Sequence, residues 1–182
     1  GTIALDLLLT KDNRLAFDLA RKLDSINSER RNVERKVTEE AIEKIGDDPP
    51  MGIVVWDKEW HPGVVGIVAG RLARQFHLPV IVLGWDGTDF KGSGRGITGL
   101  NLLAIMEDCK IQPPKWGGHP AAMGLSIGES DLPKFAEAFA EATYNACNGS
   151  IPVKTLGIDG TMKASEISRQ RVLELEALGP FG

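Results

Sequence analysis

The sequence predicts an α/β fold in which a mixed sheet is flanked by helices and preceded by one long helix. Two observations lead to this prediction. Residues 12–45 have a helical pattern throughout, and after residue 49 short apolar segments typical of buried strands alternate with amphipathic helices. The chain has 182 residues, of which 42% are hydrophobic and 25% charged, which is enough for one sizeable core.

The first predicted element is the long helix over residues 12–45. Its apolar residues recur with helical periodicity: Ala16, Leu19, Ala20, Leu23, Ile26, Val33, Val37, Ala41 and Ile45. The intervening stretch NSERRN is polar on every face, which is typical of a bend or of a helix that crosses solvent between two bodies. The stretch GDDPP ends the helix because proline cannot continue it. We expect the apolar positions before Ile26 to be left exposed.

The remaining elements alternate along the chain. MGIVVW and LPVIVLGW predict buried strands with the helix VVGIVAGRLARQFH between them, and FKGSGRGI predicts a glycine-rich strand or loop. The pattern then predicts the helix NLLAIMEDC, the strand AMGLSIG, the helix LPKFAEAFAEATYNAC, the strand or hairpin VKTLGIDGTM and the helix ASEISRQRVLELEAL. The predicted divisions are a connecting helix, 1–48, an α/β core, 49–150, and a final strand and helix, 151–182.

Charge is unevenly distributed along the chain. The net charge is −4, but residues 58–119 carry 7 Lys and Arg against 5 Asp and Glu, which gives +2, while each flanking third carries −3. This middle third also contains the glycine-rich stretches, so its local field favours an anionic ligand there. An excess of two charges is also compatible with chance.

The compartment is inferred from cysteine usage and hydropathy. The two cysteines, Cys109 and Cys147, form no CxxC pair, which favours a reducing, cytoplasmic location. No apolar run approaches the ~20 residues that a membrane span needs, so no membrane association is predicted. The chain begins with Gly1 and stops at LGPFG directly after a helical pattern, and we expect a fragment of a longer protein.

Several catalytic classes find no support in the sequence. The three histidines, His61, His77 and His119, have no second ligand at metal-binding spacing, so no metal site is predicted in this chain. No nucleophile elbow, P-loop or GxGxxG fingerprint is present.

The stretch KGSGRG, residues 91–96, combines donors for phosphate. In a strand, alternation would place Lys91, Ser93 and Arg95 on one face. A hydroxyl and a guanidinium fork together suit a phosphate group. The alternative is a tight hairpin with solvated charges.

Two further stretches place a histidine beside small residues. In WHPGVVG, His61 precedes a Pro-Gly turn that opens a helix, where it contacts an anion or simply caps its own turn. In KWGGHPAAMG, Gly117 and Gly118 keep Cβ atoms away from a ligand while His119 offers N–H donors. The alternative for this second stretch is a turn in the core with a satisfied histidine.

The motifs WHPGVVGIVAGRLA, FKGSGRGITGLNLL and WGGHPAAMGLSI, in this order and spacing, resemble the DHH-associated domain of RecJ-type single-strand-specific exonucleases. The long helix is similar to the connecting helix that joins the two lobes in that family. LGPFG resembles the start of a further family stretch, PFGxGNP. The match covers nearly the whole chain.

The resemblance implies a division of labour between two lobes. In the family, a DHH lobe holds two Mn²⁺ or Mg²⁺ ions, and none of its metal motifs occurs here. The associated lobe faces those metals and holds single-stranded nucleic acid. The match therefore implies substrate contact by Gly117, Gly118 and His119 and phosphate contact by Ser93 and Arg95, with Lys91 and His61 as further candidates. His119 is also a candidate transition-state contact, and no cofactor is expected in this chain.

The resemblance leaves some points open. Where the family often has serine after the arginine, this chain has Gly96, so one hydroxyl donor is missing. Trp60 and Trp116 adjoin the motifs and are candidates for base stacking, with a core role as the alternative. The implied parent is a 5′→3′ exonuclease on single-stranded DNA. An oligoribonuclease or cyclic-dinucleotide phosphodiesterase of the same superfamily, and a non-catalytic nucleic-acid-binding module, are the alternatives.

Overall fold

The computed structural model describes residues 2–180. Two compact units divide the chain, Gly1–Pro152 and Val153–Gly182. The helices of the first unit are α1 (Thr2–Leu9), α2 (Asn13–Ile45), α3 (Pro62–Phe76), α4 (Leu102–Glu107) and α5 (Leu132–Ala146). Its strands are β1 (Ile53–Asp57), β2 (Val80–Trp85), β3 (Phe90–Arg95), β4 (Lys115–His119) and β5 (Ala122–Ile127).

The predicted long helix is present as α2, and it is continuous through the polar stretch. Asp12 caps its start by accepting the backbone N–H groups of Arg14 and Leu15, and Gly46 ends it with φ +71°. Its buried residues all lie in the C-terminal half: Glu34, Val37, Thr38 and Ala41. The N-terminal half leaves apolar side chains exposed, including Phe17 and Ile26. The exposure predicted before Ile26 is confirmed only in part, because Leu19 and Leu23 are half-buried. A short helix, α1, which the sequence did not predict, contacts α2.

The five strands form one mixed sheet in the order β1-β2-β3-β5-β4. β1 and β2 are parallel, as the helical connection α3 between them requires, and the other pairs are antiparallel. The predicted α/β architecture, with a mixed sheet between helices, is therefore confirmed.

Each face of the sheet has its own apolar core. On the α3 face, strand residues such as Val55, Val80 and Val82 pack with α3 and the end of α2. On the α5 face, Phe90, Leu125 and their neighbours pack with α4 and α5. Since successive strand residues alternate between the faces, each strand residue can be assigned to one of the two.

The structure adds one strand and corrects two predictions about secondary structure. Residues 115–119, to which the sequence assigned no element and for which a core turn was the alternative, form the edge strand β4. The strand or hairpin predicted at 153–162 is wrong, since the residues there form no strand or helix. The final helix is shorter than predicted: a 3₁₀ turn at Ala164–Glu166 precedes α6 (Arg169–Glu176). The last two residues of the LGPFG stretch, like Gly1, lie outside the described residues. Within residues 2–180, no helix has the length and apolar character to cross a membrane.

Candidate functional site

Strand register assembles three rows of residues on the α3 face of β3, β5 and β4. The first row pairs Arg95 with Ala122 and Ala122 with His119. The second row is Ser93, Gly124 and Gly117, and the third is Lys91, Ser126 and Lys115. We call these nine residues the open floor. Ser93, Arg95, Gly117 and His119, predicted separately from two motifs, thus lie on one face of the sheet.

Two of the three residues in the middle row of the open floor, Gly117 and Gly124, have no side chain, and packing does not require this. A Cβ atom added at Gly117 would have no neighbour within 4 Å, and one at Gly124 would only reach the Gly92 carbonyl oxygen at 4.0 Å. Gly118, on the opposite face, is different, because a Cβ there would lie 2.6 Å from the Met123 Cα atom. The fold therefore requires glycine at 118, whereas glycine at 117 and 124 leaves clearance above the sheet.

Arg95 is held in a fixed orientation at one end of the floor. Its Nη1 donates to the Ser93 hydroxyl and to the Gly94 carbonyl, each at 2.8 Å. Gly66 of α3 allows this packing, since a Cβ there would lie 3.3 Å from Arg95 Nη2. The donors on Nε and Nη2 form no hydrogen bond within residues 2–180, so the guanidinium retains a free edge for an anion.

His119 presents one defined donor at the same end. Its Nδ1 accepts the backbone N–H of Ala121 at 3.3 Å, so in the neutral ring the proton resides on Nε2. The side chain is exposed, so the alternative of a buried core histidine is wrong. Arg95 on β3 and His119 on β4 lie on either side of Ala122 on β5. Their backbones are therefore two strand spacings, or about 10 Å, apart.

Gly96 has a structural role at this end of the floor. Its backbone N–H donates to the Ala121 carbonyl at 2.9 Å, while the Leu102 N–H donates to the Pro120 carbonyl at 2.9 Å. The first bond ties the two-residue turn between β4 and β5 to the end of β3, and the second ties it to the start of α4. A Cβ at Gly96 would lie 3.3 Å from the Pro120 oxygen, so serine would need a small adjustment here.

The Lys91 ammonium group already has two partners within the protein. Its ammonium donates to the Ser126 hydroxyl at 3.1 Å and lies 3.5 Å from the Asp86 carboxylate. Backbone N–H groups of Asp89 and Thr88, aided by the charge of Lys91, lower the pKa of Asp86 below its usual value. Asp86 therefore stays ionised and offsets part of the Lys91 charge.

His61 caps a helix, which was the structural alternative for this residue. Its Nδ1 accepts the backbone N–H of Gly63 at 2.9 Å at the start of α3. The first turn of α3 passes close over Gly84, where a Cβ would overlap the Trp60 carbonyl oxygen. Gly84 pairs with Lys91, so His61 lies toward the Lys91 end of the floor and away from Arg95.

The two tryptophans that were candidates for base stacking pack in or against the apolar cores. Trp60 is 1% exposed and donates its indole N–H to Glu40 at 2.8 Å. Trp116 is partly buried against the core of the α5 face. Base stacking on Trp60 is therefore excluded in this structure, and Trp116 lies on the face opposite the open floor.

A divalent metal needs a group of ligating side chains around it. Among residues 2–180, no three His, Cys, Asp or Glu side chains gather in a way that could hold an ion. The open floor itself offers guanidinium, ammonium, hydroxyl and imidazole groups, which suit an anion rather than a cation.

These features place cationic and hydrogen-bond-donating groups on one exposed face of an α/β domain, and the comparisons identify the class of that domain. The DHHA1 domain family matches residues 48–145, and the chain belongs to that family. It is 35% identical to the single-stranded-DNA-specific exonuclease RecJ of Bacillus subtilis, over 98% of this chain and 23% of that protein. It is 34% identical to the Escherichia coli RecJ, over 100% of this chain and 33% of that protein.

Solved structures agree with the sequence relatives. RecJ from Thermus thermophilus, crystallised with Mg²⁺, superposes with a TM-score of 0.81 and 28% identity, covering 100% of this chain and 28% of that chain. The same protein with Mn²⁺ gives the same TM-score. The resemblance to RecJ-type exonucleases is thus confirmed. The chain spans about a quarter to a third of the length of these curated relatives.

Part of the floor was not predicted from the motifs. Lys115, Gly124 and Ser126 join it only through strand pairing. A detectable signal was the pair of segments KWGGH and AMGLSI separated by two residues, which is the spacing of a β-hairpin.

Proposed function

We propose that this chain is the substrate-binding lobe of a RecJ-like exonuclease that hydrolyses single-stranded DNA from the 5′ end. The observation that carries the proposal is that Arg95, Ser93 and His119 share one face above glycines that packing does not require. The relatives named as single-stranded-DNA-specific exonucleases support the substrate class.

The open floor would act on the nucleic-acid backbone rather than on the bases. The free edge of the Arg95 guanidinium binds a phosphate through its fork, and His119 Nε2–H donates to a phosphate oxygen. Gly117 and Gly124 let the sugar–phosphate backbone approach the sheet closely. Binding of this kind does not depend on base sequence.

Hydrolysis requires groups that this chain does not supply. The two RecJ structures with Mg²⁺ and Mn²⁺ suggest divalent metals in the parent protein, where they would activate water. Since the residues described here form no metal site, we propose that the metals reside in the rest of the parent. The chain by itself is then inactive. Nucleotide release by the purified chain with Mn²⁺ or Mg²⁺, abolished by chelation, would contradict this.

The proposal is tested by replacing Arg95. Arg95→Gln should weaken binding of a single-stranded oligonucleotide to the chain roughly tenfold to a hundredfold, because a charge-assisted bond is lost. The slope of log K against log salt should fall by about one phosphate contact. Arg31→Gln, which removes an exposed charge from α2, is the matched control. Fluorescence anisotropy that finds equal affinities for these two variants would overturn the proposal.

A second replacement separates binding from turnover. His119→Gln in the parent should lower kcat more than it raises KM, if the imidazole stabilises charge that grows in the transition state. Equal loss of oligonucleotide affinity and of kcat/KM, with kcat unchanged, would assign His119 to ground-state binding alone.

A further inference from the structure

We propose that the Lys115 end of the open floor is a second phosphate subsite, which binds a further backbone phosphate of the same strand. Its ligating groups are the Lys115 and Lys91 ammonium groups and the Ser126 hydroxyl. The inference rests on the proposed function, in which Arg95 and His119 bind the first phosphate. It assigns a role to Lys115 and Ser126, which were not among the candidate site residues predicted from the sequence.

Strand register places the two ends of the floor in line. Lys91 and Arg95 are four residues apart in β3 and face the same side, as are Lys115 and His119 in β4. At about 3.3 Å per residue, the two cationic rows are separated by ~13 Å. Even in a duplex one strand carries a phosphate about every 3.4 Å along the axis, so this distance spans more than one phosphate.

The surface between the two rows is suited to an extended backbone. Only Ser93, Gly124 and Gly117 lie between them, and the two glycines are exposed without any packing need. Because α3 packs against Ser93 and Arg95 through Gly66, the path for a strand bound at Arg95 runs over β5 and β4. Along that path it would meet no side chain larger than serine between the two rows.

The charges at the second subsite come from Lys115 above all. Lys115 is exposed and forms no ion pair or side-chain hydrogen bond within the described part of the chain. Lys91 Nζ, held 3.1 Å from Ser126 Oγ, contributes a second ammonium that Asp86 partly offsets. Asp89 lines the same surface cavity as Lys115 and Ser126 and opposes an anion there. Removal of the Asp89 charge should therefore raise the affinity for the strand, and removal of the Lys115 charge should lower it.

The first experiment measures oligothymidylate binding to the 182-residue chain as a function of length. Lys115→Gln should weaken binding of a ten-nucleotide strand about three- to fivefold and lower its salt slope by about one, while a 5′-phosphorylated dinucleotide binds as before. Lys134→Gln, an exposed lysine on α5 at the opposite face, is the charge-matched control and should leave both affinities unchanged.

The second experiment removes a negative charge from the subsite instead of a positive one. Asp89→Asn keeps the backbone bonds of the turn and should strengthen binding of the ten-nucleotide strand about twofold. If Lys115→Gln and Lys134→Gln bind that strand equally while Arg95→Gln is impaired, the second subsite is overturned and the proposed function stands. If Arg95→Gln is unimpaired as well, both are overturned. A loss at Lys115 for the dinucleotide as large as for the longer strand would also overturn the subsite.

Discussion

The α3 face of the sheet contains two regions that differ in what lies above them. Over β1 and β2, α3 covers Val55, Val80 and Val82, and the region is closed. Over β5 and β4, the same face leaves Gly117 and Gly124 exposed. Both regions belong to one continuous sheet in which strand residues alternate between the two faces. The difference between them therefore comes from the size and charge of the side chains. A helix packs on the large apolar residues, whereas the small and cationic residues leave a surface that is open to a ligand.

Glycine has different structural roles in the two regions. In the closed region, Gly84 lets the Trp60 carbonyl pass directly over the strand, and Gly66 lets α3 approach Ser93 and Arg95. In the open region, an added Cβ at Gly117 would meet nothing. Glycine in the closed region serves packing, and glycine in the open region is explained by a bound molecule.

The largest expected effect is on stability in the closed region. Gly84→Ala should lower the free energy of unfolding by about 3 kcal/mol, because its Cβ overlaps backbone rather than a side chain that can move. Urea denaturation measures it, with Gly124→Ala as the control. Gly124→Ala should leave stability unchanged or raise it by up to about 1 kcal/mol. Equal losses for the two variants would remove the distinction between the regions.

A smaller effect is expected where α2 joins the closed region. Glu34 is 5% exposed, and its carboxylate accepts hydrogen bonds from Arg71 of α3 at 2.6 Å and from Arg30 at 3.1 Å. Glu34→Gln should lower the free energy of unfolding by roughly 1–2 kcal/mol, because both bonds lose the carboxylate charge and one of the two oxygens becomes an NH₂ donor. Glu29→Gln, an exposed acid on the same helix, serves as the control. If both variants unfold at the same urea concentration, the contact between α2 and α3 contributes no stability.

The smallest effect is a dependence of stability on pH. The Glu59 backbone N–H, and Lys44 at 3.1 Å, lower the pKa of Asp57 below its ordinary value of 3.8. Because the pKa is depressed in the folded state, the stabilisation is present above about pH 4 and is lost as the pH falls through the folded-state pKa. Asp57→Asn should therefore lose less stability than the wild type between about pH 6 and pH 3.

Thermal unfolding of the two proteins at both pH values measures this difference. Asp18→Asn, an exposed carboxylate of α2, is the control. A wild-type decline that matches the Asp57→Asn decline would show that the closed region does not stabilise this carboxylate.

Sequence patterns predicted the elements that carry their own periodicity. The long helix α2, the buried strands β1 and β2 and the helices α3 and α5 were all identified, because apolar spacing and proline or glycine boundaries mark them. β4 was missed because two glycines give it little intrinsic strand preference, and pairing with β5 decides its conformation. The alternation at 153–162 predicted a strand that did not form, because a strand also needs a hydrogen-bonding neighbour.

The candidate site was predictable only within each motif. Alternation correctly placed Lys91, Ser93 and Arg95 on one face of β3. The sequence could not show that β5 would lie between β3 and β4, which brings Gly124 and Lys115 to the same surface, because register depends on pairing across the sheet. For the same reason, the cap at His61 and the burial of Trp60 were alternatives rather than predictions.

The most direct test of the open floor is one substitution measured in two ways. Gly117→Ala should reduce the affinity of the chain for a single-stranded oligonucleotide about tenfold, since the new methyl group occupies the clearance above the sheet. Its free energy of unfolding should be unchanged or rise by up to about 1 kcal/mol, because the Cβ meets no protein atom within 4 Å. Unchanged affinity in a stably folded Gly117→Ala chain would contradict the account, since the bare glycine would then serve neither packing nor binding.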